Sequence, residues 1–230
     1  MLDFPFFDAD NHYYEALDAF TRYIDPAMRK RTMQWATIDG RQRLIVGGEI
    51  NRFIPNPTFA KVSKPGALSD YFRAKAGVGD MRAAFGELEP IETRPEYRDR
   101  DARLRLMDEQ GMEATIMLPT LGVGMESALE DDPEALLAAF RAFNRWLDDD
   151  WGFAYQERIF GAPLLTMVDP DEAVKTVEWS LERDARFFVL VPGPVSDVGL
   201  QLTALTVTGG ARLSEAVLEL PFKDAVTVTA

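Results

Sequence analysis

Short apolar runs alternate with amphipathic segments over the second half of the chain. The runs at 113–118, 159–166 and 186–191 have the length and composition of buried strands. Between them, apolar positions spaced three and four residues apart predict helices that begin at Asp132-Pro133 and Asp169-Pro170, where an aspartate N-cap precedes a proline. Strands and helices that alternate at this spacing predict a parallel sheet with right-handed crossovers.

The first half of the chain adds one more strand of this type. Residues 4–9 predict a short buried strand, followed by a loop that carries His12 and a short helix over 15–24. The helix that precedes the next strand is predicted to begin at Pro95, and Gly111 supplies the positive-φ residue that ends it. The parallel strands are therefore expected near residues 6, 115, 162 and 189.

A different pattern lies between these two parts. The runs 33–38 and 41–46 flank Asp39-Gly40, a pair that favours a type I′ turn and so predicts a β-hairpin. Glycine and proline then interrupt the chain repeatedly. We interpret residues 27–94 as an inserted lobe of hairpin and loop that lies over one end of the main fold.

The last part of the chain follows neither pattern. Threonine-rich segments at 200–203, 217–220 and 225–229 predict short β-strands with no amphipathic helix between them. We therefore divide the chain into a main unit, 1–194, and an irregular β-rich tail, 195–230.

Composition and charge narrow the functions that such a fold can carry. The formal net charge of −13 opposes binding to nucleic acid or to an anionic membrane surface, which leaves small molecules or proteins as partners. The chain has no cysteine, so disulfides, thiolate metal ligands and thiol nucleophiles are excluded. No apolar run has the roughly 20 residues that cross a bilayer, and the N-terminus does not resemble a signal peptide, so we expect a cytoplasmic location.

The single histidine of the chain, His12, follows Asp10 at a distance of two residues. If this stretch continues the first strand, both side chains point to the same side of the backbone. A carboxylate and an imidazole can bind zinc or another divalent metal, although a catalytic zinc normally has three protein ligands. A lone histidine is also often an ordinary core or surface residue, so both interpretations stay open at this point.

Several motifs of the main unit occur together in one enzyme group. They lie at 8–12, 103–112, 118–120, 144–147 (Asn-x-Trp-Leu), 161–164 and 169–170, and in the lobe at 54–59 and 65–68. With these motifs the sequence resembles the amidohydrolase-related, metal-dependent TIM-barrel enzymes, the group that contains the aminocarboxymuconate-semialdehyde decarboxylase-like and resorcylate decarboxylase-like proteins. The resemblance covers about residues 3–194.

The resemblance implies an α/β fold, the (β/α)8 barrel, with its active site at the carboxyl ends of the strands. It implies that Asp10 and His12 are metal ligands, and that further ligands come from histidines on middle strands and an aspartate on the last strand. No histidine follows His12 in this chain. Asp8, Thr120 and Asn144 are candidates to support the ligands or line the pocket, and no catalytic residue is assigned.

The chemistry implied by the resemblance depends on the metal, with zinc expected first and manganese second. The metal would activate water for attack on an amide, ester or lactone, or would orient a small carboxylate for non-oxidative decarboxylation. Both reactions act on a small-molecule substrate.

Length argues for an incomplete barrel. A closed barrel usually takes about 250 residues and each strand-helix unit takes roughly 30, but only 36 residues follow residue 194. We therefore predict a truncated, partial barrel of about four parallel strands, whose unclosed edge near residue 189 favours a homo-oligomer. Two functions follow from this: a metal-dependent hydrolase or carboxy-lyase, or a non-catalytic half-barrel that acts only as an interaction module.

Overall fold

Parallel strands lie at the centre of the structure, a computed structural model that describes residues 4–54, 56–63 and 88–191 and the backbone of 203–206. The strands in chain order are β1 (Phe6–His12), β2 (Met33–Ile38), β3 (Arg41–Val46), β4 (Glu49–Ile50), β5 (Lys61–Val62), β6 (Glu89–Pro90), β7 (Met112–Leu118), β8 (Ile159–Gly161), β9 (Leu164–Thr166), β10 (Phe187–Val191) and β11 (Thr203–Thr206). The helices are α1 (Arg100–Gln110), α2 (Met125–Ala128), α3 (Pro133–Asp150) and α4 (Pro170–Leu181), and 3-10 turns lie at Ile91–Thr93, Pro95–Tyr97 and Gly122–Gly124.

Neighbouring strand positions run parallel in the order β1, β7, β8/β9, β10. β1 pairs with β7, β7 pairs with β8, and β9 pairs with β10. β8 and β9 form one path through the sheet, separated by Ala162 and Pro163. The predicted parallel α/β arrangement is confirmed, and it fits part of a (β/α)8 barrel. The strands of the described residues do not close into a ring.

A proline interrupts the third strand position, and a buried asparagine bridges the interruption. Pro163 has no N–H to donate, so β8 bonds to β7 before it and β9 bonds to β10 after it. The side chain of Asn144, on α3, donates to the Leu164 carbonyl at 2.9 Å and accepts from the Leu164 N–H at 2.8 Å. Asn144 thereby ties α3 to the strand where the ladder changes partner.

The outer edge of β10 is paired rather than open. β11 lies antiparallel to it, with Thr206 opposite Phe187 and Thr203 opposite Leu190. β11 therefore occupies the place where a barrel would put its next parallel strand. Of the predicted tail strands, the first is shifted to Thr203–Thr206, and those at 217–220 and 225–229 lie outside the described residues.

Local chemistry starts the two long helices where the sequence predicts. Asp132 accepts a hydrogen bond from the Ala135 N–H at 3.2 Å and begins α3. Asp169 accepts from the N–H groups of Asp171 and Glu172 at 3.0 and 3.2 Å and begins α4. No helix among the described residues is long and apolar enough to cross a membrane.

The sequence predicted that α1 begins at Pro95, but the helix begins at Arg100. Pro95–Tyr97 forms a separate 3-10 turn, and Asp99 is the N-cap because its extended backbone lets its side chain accept from the Ala102 N–H at 2.6 Å. Gly111 ends the helix with a φ of 72°, as predicted.

The predicted helix over 15–24 is wrong, since these residues form a series of turns. Carbonyl groups that a helix would use internally are bound by side chains from elsewhere. The Glu15 carbonyl accepts from Arg98 at 3.1 Å, and the Leu17 carbonyl accepts from the indole N–H of Trp35 at 2.7 Å. Tertiary contacts override the local helical pattern here.

β1 is longer and less buried than the strand predicted over 4–9. It continues through His12, and the side chain of Phe7 is 49% exposed. Among the described strands β1 pairs with β7 alone, so it lies at the end of the sheet and its other edge has no partner among these strands.

The hairpin of the lobe forms as predicted. β2 and β3 pair antiparallel, with Met33 opposite Val46 at one end and Ile38 opposite Arg41 at the other. The turn residues Asp39 and Gly40 have φ values of 51° and 70°. Residues 64–87 of the predicted lobe lie outside the described residues.

An aromatic core anchors the segment that follows β1. The ring of Tyr13 stacks on Trp151 at 5.3 Å between centroids and meets the edge of Trp146 at 5.6 Å. Phe20 stacks on Phe143 at 4.7 Å. The residues after β1 are thus fixed against α3, in spite of their irregular backbone.

Replacing Asn144 with leucine should lower the free energy of unfolding by about 2–4 kcal/mol, because the N–H and carbonyl of Leu164 lose their partners inside the core. Urea unfolding followed by circular dichroism measures this loss. The control is Arg141→Ala on the exposed side of the same helix, where an ion pair with Glu172 is lost, at a cost below about 1 kcal/mol. Equal losses for the two variants would contradict the anchoring role of Asn144.

Candidate functional site

Asp10 and His12 meet at the carboxyl end of β1. His12 Nε2 lies 3.5 Å from Asp10 Oδ1, and the two side chains are 42% and 85% exposed. The structure therefore brings together the two residues that the sequence proposed as ligands. Carboxyl ends of strands are where barrel enzymes place their active sites.

The other ring nitrogen of His12 is held by the strand next to it. His12 Nδ1 lies 3.1 Å from the carbonyl oxygen of Pro119, just beyond the end of β7. A carbonyl oxygen only accepts, so this contact requires the proton on Nδ1 and leaves the lone pair of a neutral imidazole on Nε2. Nε2 then faces a carboxylate oxygen, and the repulsion between these two electron-rich atoms is relieved when a proton or a metal cation lies between them.

Asp8 shapes the strand rather than facing the pair. Its Oδ1 accepts from the Asp10 N–H and its Oδ2 accepts from Asn11 Nδ2, both at 3.1 Å. The β1–β7 register also shifts between Asp8 and Asn11, where β1 has an extra residue. A bulge of this kind re-aims the side chains that follow it.

Arg103, on α1, donates hydrogen bonds to the end of β1. It is buried, with Nη2 bonded to the His12 carbonyl at 3.2 Å and Nη1 to Asn11 Oδ1 at 3.3 Å. Its Nε donates to the Glu96 carbonyl at 2.9 Å. Burial lowers the pKa of the Arg103 guanidinium from its usual value.

Glu15 joins the same region to the loop after β7. It is 1% exposed, and its Oε1 accepts from three successive backbone N–H groups, those of Thr120 at 2.9 Å, Leu121 at 2.7 Å and Gly122 at 3.1 Å. Burial raises the pKa of the Glu15 carboxyl to about 7, although the N–H groups oppose this shift. Thr120 also donates from its hydroxyl to the Tyr13 carbonyl at 2.7 Å, so it fastens the two strand ends.

A second buried carboxyl, Glu126 of α2, lies against the carboxyl end of β9. It is 2% exposed, and its Oε1 accepts from the Thr166 hydroxyl at 2.5 Å. Within the described residues its Oε2 has no hydrogen-bond partner. Burial raises the pKa of the Glu126 carboxyl to about 7, against the Thr166 hydrogen bond.

The sequence analysis missed Glu15, Arg103 and Glu126 as parts of this region. Glu15 and Arg103 each lie between apolar neighbours in the chain, which is a local sign that the side chain is buried, whereas Glu126 is followed by Ser127 and has no such sign. Asn144 was a candidate for the pocket, but both ends of its amide are used by the backbone of Leu164.

Asp10 and His12 suit a divalent metal as two of its ligands. Two ligand atoms of a tetrahedral zinc lie about 3.4 Å apart when each is about 2.1 Å from the metal, close to the separation found here. The bond from Nδ1 to a carbonyl also orients the ring in the way common for metal-bound histidines. Within the described part of the chain, no group of three or more His, Cys, Asp or Glu residues is placed to hold a metal ion.

The raised pKa of Glu126 predicts that it makes the protein less stable as the pH rises. The folded state keeps a proton that the unfolded chain releases above its ordinary pKa near 4.5, so this stabilisation is complete below that value and is lost as the pH rises through about 7. Between about pH 5 and about pH 8 the loss should be on the order of 2–3 kcal/mol.

Glu126→Gln should remove this part of the pH dependence, measured as the difference in urea-unfolding free energy between the two pH values for variant and wild type. Glu130→Gln, at an exposed position, is the control and should leave the difference unchanged. A pH dependence in Glu126→Gln equal to that of the wild type would show that the carboxyl is not held in its neutral form.

The fold and much of the sequence match a solved structure, the crystal structure of an amidohydrolase from Mycobacterium avium subsp. paratuberculosis K-10. The two chains are 42% identical, with a TM-score of 0.77, over 83% of this chain and 50% of that chain. The chain thus spans about half the length of this relative. No family model and no curated protein matches the chain.

This match bears out the resemblance found in the sequence at the level of the amidohydrolases, without distinguishing the decarboxylase-like group within them. A common fold with this identity over most of the chain indicates common descent. Over the residues that match, the chain is therefore related to the amidohydrolases.

Proposed function

We propose that this chain forms part of a metal-dependent hydrolase site of the amidohydrolase type, with Asp10 and His12 as two of the metal ligands. The observation that carries the proposal is the 3.5 Å separation of His12 Nε2 and Asp10 Oδ1 at the carboxyl end of β1. The relation to an amidohydrolase supports it, because a strand-end metal site is what the sequence resemblance implies.

The chain's own groups prepare the pair for a cation. The Pro119 carbonyl holds the proton of His12 on Nδ1, so the lone pair of Nε2 is directed toward Asp10. Asp8 holds the backbone N–H of Asp10 and the side chain of Asn11, which keeps the bulged strand end in one conformation. The exposure of both ligand side chains leaves room for additional ligands and for a small-molecule substrate.

The metal, zinc in the first place and manganese in the second, would act as a Lewis acid on a carbonyl or carboxylate of the substrate. An amide, ester or lactone would be hydrolysed, and a small carboxylate could instead lose carbon dioxide. Both reactions also need a group that holds or moves a proton near the strand ends.

A second candidate function is a non-catalytic half-barrel that binds another protein. The observation that favours it is that the described residues supply two metal donors, whereas a catalytic zinc normally has three from the protein. Metal binding separates the two candidates.

Purified protein, freed of metal with a chelator and then dialysed against zinc or cobalt, should bind one equivalent of metal. His12→Ala should abolish this binding, and Asp10→Asn should weaken it by roughly tenfold or more, since each removes a ligand. Elemental analysis gives the stoichiometry, and the visible spectrum of the cobalt form reports nitrogen and oxygen ligation.

Asp131→Asn serves as the control, because this carboxylate is exposed and lies far along the chain from the pair. It should bind metal as the wild type does. Wild-type protein that stays metal-free in excess zinc, or His12→Ala protein that binds as much as the wild type, would overturn the proposal and favour the half-barrel module.

A further inference from the structure

The carboxylate of Glu15 determines where the loop after β7 lies. Its Oε1 accepts from the successive N–H groups of Thr120, Leu121 and Gly122 at 2.7 to 3.1 Å. Three donors that converge on one oxygen fix the direction of all three peptide units, in the manner of an anion held by a backbone nest. The rest of the loop must follow that direction.

Residues 119–122 pack closely against one another, so a constraint on the backbone of 120–122 also constrains the position of Pro119. A Cβ on Gly122 would lie 2.9 Å from the Cβ of Pro119, closer than such atoms approach, so the glycine lets the two residues pack directly. The Thr120 hydroxyl bonds to the Tyr13 carbonyl at 2.7 Å and ties the loop back to the segment after β1. The position of the Pro119 carbonyl therefore depends on the Glu15 anchor.

We propose that Glu15 is a positioning residue for His12: through the loop 119–122 it sets the Pro119 carbonyl that keeps the His12 proton on Nδ1 and directs Nε2 toward Asp10. The inference deepens the proposed function, on which it rests for the role of Nε2. The contacts on which it is built are the three N–H bonds of Glu15 and the 3.1 Å contact between Nδ1 and Pro119.

The cost of Glu15 supports a role beyond packing. A carboxyl group that is 1% exposed loses its hydration, and burial raises its pKa to about 7. An apolar side chain would fill the same volume without this cost. The carboxylate offers what an apolar side chain does not, which is an acceptor strong enough to hold three backbone donors of a loop at once.

His12 makes the inference directly measurable, because it is the single histidine of the chain. In metal-free, full-length protein labelled with nitrogen-15 at histidine, a long-range proton–nitrogen spectrum contains one imidazole and distinguishes its two tautomers. At about pH 9 the wild type should show the Nδ1–H tautomer, whereas a free imidazole side chain favours Nε2–H.

Glu15→Met keeps the length of the side chain and removes its oxygen acceptors. The share of the Nδ1–H tautomer should fall by about twofold or more, and zinc affinity should fall by about 10–100-fold, as for other groups that orient a metal-bound histidine. Glu15→Gln keeps one oxygen without the charge and should give an intermediate tautomer ratio. This graded recovery is not expected if Glu15 only fills space.

Glu126→Met and Glu126→Gln are the matched controls, because Glu126 is equally buried and has a similarly raised pKa but bonds to Thr166. Both should keep the tautomer of the wild type. A folded Glu15→Met protein with an unchanged tautomer would overturn the inference, and so would Glu126 variants that shift the tautomer as far as the Glu15 variants do.

If Glu15→Met does not fold, the pair of glutamine variants decides. A lower Nδ1–H share in Glu15→Gln than in Glu126→Gln supports the positioning role, and equal shares overturn it. The tautomer is read without metal, so a wild type that binds no zinc refutes the proposed function and leaves this comparison intact. If the wild type binds zinc but the His12 tautomer is the same in the Glu15 variants, the inference is refuted and the proposed function stands.

Discussion

One carboxylate oxygen connects the segments that follow β1 and β7 at the carboxyl end of the sheet. Glu15 Oε1 accepts three backbone N–H groups from the loop that follows β7, and the Glu15 residue itself lies just beyond the end of β1. The ladder between β1 and β7 ends at His12 and Leu118, so the chain beyond it has no strand partner. The carboxylate extends the attachment of the two segments past the end of the ladder, and it does so at the place where the candidate ligands lie.

Three ionisable side chains, whose burial is energetically unfavourable, lie at the carboxyl ends of the strands. Arg103 gives two of its hydrogen bonds to the end of β1, Glu15 holds the loop after β7, and Glu126 lies against the end of β9. A buried ionisable group is expensive even when it is bonded, and a core built for stability alone would use apolar side chains. That the cost is concentrated at the carboxyl ends of parallel strands agrees with a site at this end, which is where the fold places chemistry.

Features with a local cause were predictable from sequence, and features with a distant cause were not. The N-caps Asp132 and Asp169 and the turn at Asp39 were predicted correctly because each depends on residues within a few positions. Asp10 and His12 were found because two positions in one strand share a side. Glu15 was instead assigned to a helix. The N–H groups that bind its carboxylate begin 105 residues later in the chain, so no local sequence pattern indicates them.

The two buried glutamates differ in how their charge is compensated. Burial raises the pKa of both carboxyls to about 7. At Glu15 the opposing influence comes from backbone N–H groups that can only donate, so the arrangement suits an acceptor and gains strength when the group is ionised. At Glu126 the described partner is one hydroxyl, which rotates and can accept as readily as it donates. A hydroxyl can pair with either protonation state of its neighbour, whereas the N–H groups bond more strongly to the ionised carboxylate than to the neutral acid. The partners of Glu15 therefore favour its ionised form, whereas the partner of Glu126 suits both of its protonation states.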